Sequence, residues 1–243
     1  MVARSRGRHA GRTTSLTSAE PKEGRHPGQP KPAQPKRVRF ANVRAPKPVL
    51  PTETEQRLTP RQQEVFDRLE DLVKEDGLAA LTMGKIAAHM GCSLRTLYGI
   101  SPSKDELVLA AVDRNLRRIG REAIERLDPA MNALEMLRAY LAVANEAVEP
   151  TRMIFARELG SLPGAKRLLD SHEDYVVAVT KSLLDRAIDE GLIPPVDTAP
   201  VAHILGGLGR EFGHPDVSDI VDGSPKQAAR MVTEIILRGL AQS

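Results

Sequence analysis

Leu81-Thr82-Met83-Gly84-Lys85-Ile86-Ala87-Ala88-His89-Met90-Gly91-Cys92-Ser93-Leu94-Arg95-Thr96-Leu97-Tyr98, followed by Pro102-Ser103-Lys104-Asp105-Glu106-Leu107, decides how this 243-residue chain is read. Thr82 offers a capping hydroxyl to a helix over Met83–Met90, Gly91 a left-handed turn, and Ser93 a cap for a second, shorter helix. Ile86, Ala87, Met90 and Leu97 are spaced to pack the two helices together, and Ala87 is small enough for close approach. Two helices set by a glycine turn form a helix-turn-helix, whose second helix suits the major groove of DNA.

That packing leaves Thr82, Lys85, Ser93, Leu94, Arg95, Thr96, Tyr98 and Lys104 as the expected DNA-binding set. The Arg95 guanidinium matches the acceptor pair of guanine, and Leu94 suits a thymine methyl. Thr96 and Tyr98 can donate hydroxyl hydrogen bonds to phosphate, and Lys104 opens a helix where free backbone N–H groups favour an anion. Tyr98 also fits a core or hinge aromatic, and Arg95 a solvated surface charge.

Outward from this stretch the pattern stays helical, with no run of alternating β-branched residues. Thr59-Pro60-Arg61-Gln62 combines a cap, a first-position proline and a capping-box glutamine, launching a helix to Asp76 that Gly77 stops. Val65, Phe66, Leu69, Leu72 and Val73 share one face of it. Ser103-Lys104-Asp105-Glu106 opens a long helix with Leu107, Ala111, Leu116 and Ile119 toward a core. Five more helices are predicted: Pro129–Glu149 behind Asp128, Thr151–Leu159, Ala165–Glu190 ending at Gly191, Thr198–Phe212 behind Asp197, and Pro225–Ala241 behind Ser224. The expected fold is all-α, a small N-terminal module followed by a larger helical body.

Charge divides the chain. Residues 1–55 hold 12 basic and 4 acidic side chains, or +8; residues 56–120 hold 10 and 9, or +1; residues 121–243 hold 13 and 19, or −6. With eight prolines and Phe40 as its only aromatic, 1–55 has little apolar surface to offset ordering entropy, so a disordered basic arm is expected. Lys36-Arg37-Val38-Arg39 and Arg44-Ala45-Pro46-Lys47 suit phosphates or a minor groove, or merely a solubilising tail. Expected domains are thus the arm 1–55, a DNA-binding domain 56–120, and an effector-binding and dimerisation domain 121–243. The single cysteine, Cys92, excludes an intrachain disulfide framework and reads as a small buried apolar residue at the turn. No apolar run approaches membrane-spanning length and no secretory signal is visible, so a cytoplasmic protein is expected.

Residues 60–120 resemble the DNA-binding domain of the TetR family of bacterial transcriptional regulators. The resemblance rests on Leu81-Thr82, Ile86-Ala87, Gly91-Cys92-Ser93, Thr96-Leu97-Tyr98 and Ser103-Lys104-Asp105-Glu106-Leu107. It implies an all-helical homodimer that binds a double-stranded palindromic operator, usually as a repressor, until a small molecule binds the C-terminal domain. Family members commonly place histidine and phenylalanine where Ile100 and Ser101 stand, and Gly99 is unusually small. Those departures remove a phosphate contact and a packing anchor that Ile100 partly replaces.

The resemblance also implies that the last two helices pair with their copies. Val201, Ile204, Leu205, Leu208 and Phe212, with Val232, Ile235, Ile236 and Leu240, are the expected dimer seam, and Gly206, Gly207 and Gly209 permit close approach. Leu137, Tyr140, Leu141, Phe155, Tyr175 and Val179 are candidate effector-lining residues, with Arg157 or His172 to orient a polar group. No phosphate loop, nucleophile elbow or metal-spaced cluster is found. The chain is therefore expected to be no enzyme and to need no cofactor or metal. The alternative is a helical ligand-binding or interaction protein that has lost sequence-specific DNA reading.

Overall fold

The computed structural model describes residues 38–146, 159–214, 217 and 220–242. All of them fall within a single unit of the fold. Its helices are α1 (Thr52–Gln56), α2 (Pro60–Asp76), α3 (Met83–Met90), α4 (Leu94–Tyr98), α5 (Lys104–Glu125), α6 (Ala133–Glu146), α7 (Ala165–Asp189), α8 (Thr198–Glu211) and α9 (Pro225–Gln242). No strand occurs among the described residues, as the unbroken helical periodicity predicts. None of these helices is long and apolar enough to cross a membrane.

Local chemistry explains most boundaries. At the head of α2 the Thr59 amide donates to Gln62 Oε1 at 3.0 Å and the Gln62 amide to Thr59 Oγ1 at 3.3 Å, closing the capping box. Gly77, at φ 73°, ends that helix in the left-handed region. Ser103 accepts from the Glu106 amide and Asp197 from the Ala199 amide, so α5 and α8 begin where the sequence places them. The predicted helix over Thr151–Leu159 lies outside the described residues apart from Leu159.

Two expectations are corrected. Helix α6 starts at Ala133, not Pro129, because the Asp128 carboxylate bends back to the Ala130 amide at 2.8 Å and makes a turn. Asn132 and Glu135 then exchange amide-to-side-chain hydrogen bonds at 2.9 Å in each direction, a capping box four residues later. The second correction concerns the expected arm: its described part, residues 38–55, is packed. Val38, Phe40 and Val43 lie against the body core, Leu50 against the other core, and α1 forms within it. The remaining part of that arm, residues 1–37, lies outside the described residues.

Apolar side chains gather in two cores. The first takes Val65, Phe66, Leu69 and Leu72 of α2, Ile86 and Met90 of α3, Leu97, Ile100, and Leu107–Val112 of α5. The Val73 side chain is outside the described set. The second core joins Leu134–Leu141 of α6, Val179–Ala187 of α7, and Leu205 and Leu208 of α8 to Leu237 of α9. Helix α5, about 33 Å long at 1.5 Å per residue, serves both: Leu107 sits in the first core and Ala123 in the second. Helix α7 does the same, from Ala165 and Leu168 to Val179 and Leu183.

Candidate nucleic-acid interface

Thr82 and Ser93 cap α3 and α4. The Lys85 amide donates to Thr82 Oγ1 at 3.2 Å and the Thr96 amide to Ser93 Oγ at 3.1 Å. Each cap is worth about 1 kcal/mol. Between them Gly91, at φ 60°, donates its amide to the Ala88 carbonyl while the Cys92 amide reaches the Ala87 carbonyl. That pair of bonds is a Schellman closure, and the half-buried Cys92 side chain packs on the first core beside it.

Burial then decides which face of α4 points outward. Leu97 is fully buried and anchors the helix, so Leu94 and Tyr98, one turn apart, are forced out at 46% and 55% exposure with Arg95 beside them. A leucine and a tyrosine left this open on one short helix form an apolar and hydroxyl-bearing surface flanking a guanidinium. Ile100, 4% exposed, takes the anchoring place below α4, and Ser101 is buried beside it. Ile100 thus belongs to the first core.

Two further side chains, which the sequence presents only as a capping box and its neighbour, hold this unit from beneath. The Arg61 guanidinium donates to the Met90 carbonyl and, at 3.3 Å, to the Gly91 carbonyl. Gln62 Nε2 donates to the Thr96 carbonyl at 3.3 Å. The first turn of α2 therefore satisfies end carbonyls of both α3 and α4. Gly99 leaves room for the Gln62 bond: a Cβ there would meet Gln62 Nε2 at 3.2 Å and the Arg95 and Thr96 carbonyls at 3.3 Å, the first a contact that a small shift of the Gln62 tip would relieve. The only sequence signal for this was the smallness of Gly99.

Most of the expected DNA-binding residues are solvent-accessible. Thr82, Lys85, Ser93, Leu94, Arg95 and Tyr98 are exposed and Thr96 is half-buried, its hydroxyl 2.9 Å from Ser93 Oγ. Lys104 is the exception. Its Nζ donates to the Leu78 carbonyl at 3.2 Å and lies 3.8 Å from Asp105, so it ties the α2–α3 loop to α5 rather than standing free.

The candidate effector residues are also placed, though Phe155 and Arg157 lie outside the described residues. Leu137, Tyr140 and Leu141 of α6 and Val179 of α7 are all buried in the second core, with Tyr175 half-buried. Burial, with the Tyr175 hydroxyl nearby, pushes the Tyr140 phenol well above its ordinary range. His172 Nε2 lies 2.9 Å from Asp113 Oδ1, a partner that its place in the sequence did not announce.

Along the expected dimer seam, burial separates two sets. Leu205 and Leu208 are buried in the chain's own second core, which corrects their assignment to the seam. Ile204 and Ile235 are outside it at 55% and 62% exposure, joined by Met231 at 59%. Val201, Phe212, Val232, Ile236 and Leu240 are partly buried at the edge of that core. Gly206 serves an intrachain crossing, since a Cβ there would fall 2.7 Å from Val177 Cγ2 of α7, whereas Gly209 faces open space.

No family model matches the chain. Among curated relatives, the HTH-type transcriptional regulator YvaF of Bacillus subtilis is 34% identical over 36% of this chain and 46% of its own length. This match thus spans about half of that protein. An HTH-type transcriptional regulator of Mycobacterium tuberculosis is 26% identical over 62% of this chain and 90% of its own. Of solved structures, a TetR transcription regulator from Haloarcula marismortui superposes with a TM-score of 0.65 at 19% identity, covering 74% of this chain and 97% of that one. AibR in complex with isovaleryl coenzyme A and operator DNA superposes with 0.53 at 21% identity, covering 74% and 98%.

Proposed function

We propose that this chain, whose fold is that of the TetR-family regulators, is a DNA-binding transcriptional regulator. In this proposal it acts as a repressor, a homodimer on a palindromic operator, and a small-molecule effector releases it. Residues 56–120 are the operator-binding part and 121–243 the effector-binding and dimerisation part. The observation that carries it is the outward face of α4, where Leu94, Arg95 and Tyr98 stand exposed on a helix that Leu97 locks from within. Side chains of this kind read base edges and methyl groups, and hydroxyls such as those of Thr82, Ser93 and Thr96 are of the type that contacts phosphates.

Support for the dimer comes from Ile204 on α8 and Met231 and Ile235 on α9, large apolar groups exposed on the two C-terminal helices. Support for operator and effector comes from AibR, whose structure with both shares this fold. The test is selection of duplexes from a random library by the full-length protein, then titration of the selected duplex at several salt concentrations. A palindromic consensus bound by two chains is the expected result. Binding that is indifferent to sequence and lost steeply with salt would favour the other reading, a helical interaction protein that no longer reads DNA.

A further inference from the structure

Asp113 is fully buried, at the level of α5 where the first core gives way to the second. Three elements meet on its carboxylate, and a buried acid stays charged only with partners of this kind. The Val49 amide donates to Oδ2 at 3.0 Å, Arg117 Nε to the same oxygen at 3.0 Å, and His172 Nε2 of α7 lies 2.9 Å from Oδ1. Arg117 then turns its two terminal nitrogens to the Glu55 carboxylate of α1 at 3.1 and 3.2 Å, a two-pronged bond, and Arg114 reaches the same carboxylate at 3.8 Å.

The segment that supplies Val49 and Glu55 touches both cores. Val38, Phe40 and Val43 rest on the second core, and Leu50 and Leu58 on the first. A polar row Glu55, Arg117, Asp113, His172 therefore crosses from the N-terminal segment through α5 to α7. Asp113 at its centre is buried and Glu55 and Arg117 are half-buried, so removing a donor from Asp113 leaves a buried carboxylate oxygen with fewer partners.

We propose that residues 38–56 are a strap that fixes α5 against α7 through Asp113 and thereby sets how the operator-binding end is held on the body. The operator consequence rests on the reading of the chain as a regulator; the strap itself does not. Strap and α7 never need to touch, because each acts on the other through opposite sides of one carboxylate.

The experiment uses the full-length protein and the variants Glu55→Gln, His172→Leu and their double. Without DNA, hydrogen exchange at the Val49 amide is expected to speed up at least tenfold in His172→Leu, and an unchanged rate overturns the strap. If His172→Leu does not fold, Val49→Pro removes the strap's donor instead. The His172 imidazole resonances should then move, and unmoved resonances overturn the proposal. With the duplex that the wild type selects from a random library, the double variant's loss of affinity is expected to depart at least about threefold from the product of the single losses. Agreement with that product overturns the coupling to the operator. Should no duplex be selected, the regulator reading fails while the exchange result still upholds or overturns the strap.

Discussion

Arg95, Leu94 and Tyr98 owe their exposure to one neighbour, Leu97, whose complete burial fixes the roll of a five-residue helix. Arg95→Ala is expected to lose about 1–3 kcal/mol of discrimination at a single base pair while binding to unrelated duplex changes little; competition titrations with single-base operator variants check this. Unaltered discrimination would remove Arg95 from base reading. Asp113 carries a second prediction. Burial alone would raise its carboxyl, but the His172 hydrogen bond, the Val49 amide and the Arg117 charge outweigh it and hold the group below its ordinary 3.8. A carboxyl lowered in the folded state contributes stability that is complete above its unfolded value and is lost as pH falls through the folded one. Acid unfolding of Asp113→Asn should therefore be flatter below about pH 4 than that of the wild type, as denaturant midpoints against pH would show.

Helices α3 and α4 are too short to persist alone, so their ends matter more than their interiors. Gly91→Ala forces a Cβ into the left-handed region and is expected to cost about 1–2 kcal/mol, read as a lowered Tm. Wild-type stability in this variant would mean that the turn has another solution. Caps were the most legible elements in the sequence: Thr59, Thr82, Ser93, Ser103 and Asp197 all accept the amide expected of them. Asp128 was the exception, because Asp and Asn both suit a cap or a turn and only the partner three residues on decides. Asn132 has Glu135 at that spacing, and the helix begins there. The bonds from Arg61 and Gln62 to α3 and α4 span about thirty positions and leave no periodic trace.

For the whole molecule, the division of residues 1–55 is the main revision. Composition alone treats them as one basic arm, yet 38–55 contribute Val38, Phe40, Val43 and Leu50 to the cores. Truncation before residue 38 is thus the clean test of the arm: it is expected to reduce the salt slope of DNA binding while Tm stays unchanged, and an equal slope would make 1–37 a passive tail. At the opposite end, Ile204→Glu with Ile235→Glu places charge on the exposed C-terminal face. Sedimentation should show a monomer with the wild-type helical content, whereas a persisting dimer would move the interface elsewhere.

The sequence by itself determined the helical class, the helix-turn-helix and most helix ends, because caps, glycine stops and a 3.6-residue period act over a few positions. It also marked Leu94, Arg95 and Tyr98 as outward, since Leu97 completes the apolar face of its neighbours. Only the tertiary structure decided which apolar residues of α8 face inward, since Ile204 and Leu205 are equally apolar and differ only in what α7 and α6 place opposite them. It alone joined Val49, Glu55, Asp113, Arg117 and His172. Desolvation makes a buried carboxylate gather donors from wherever the chain passes, and that demand is invisible until the fold has buried it.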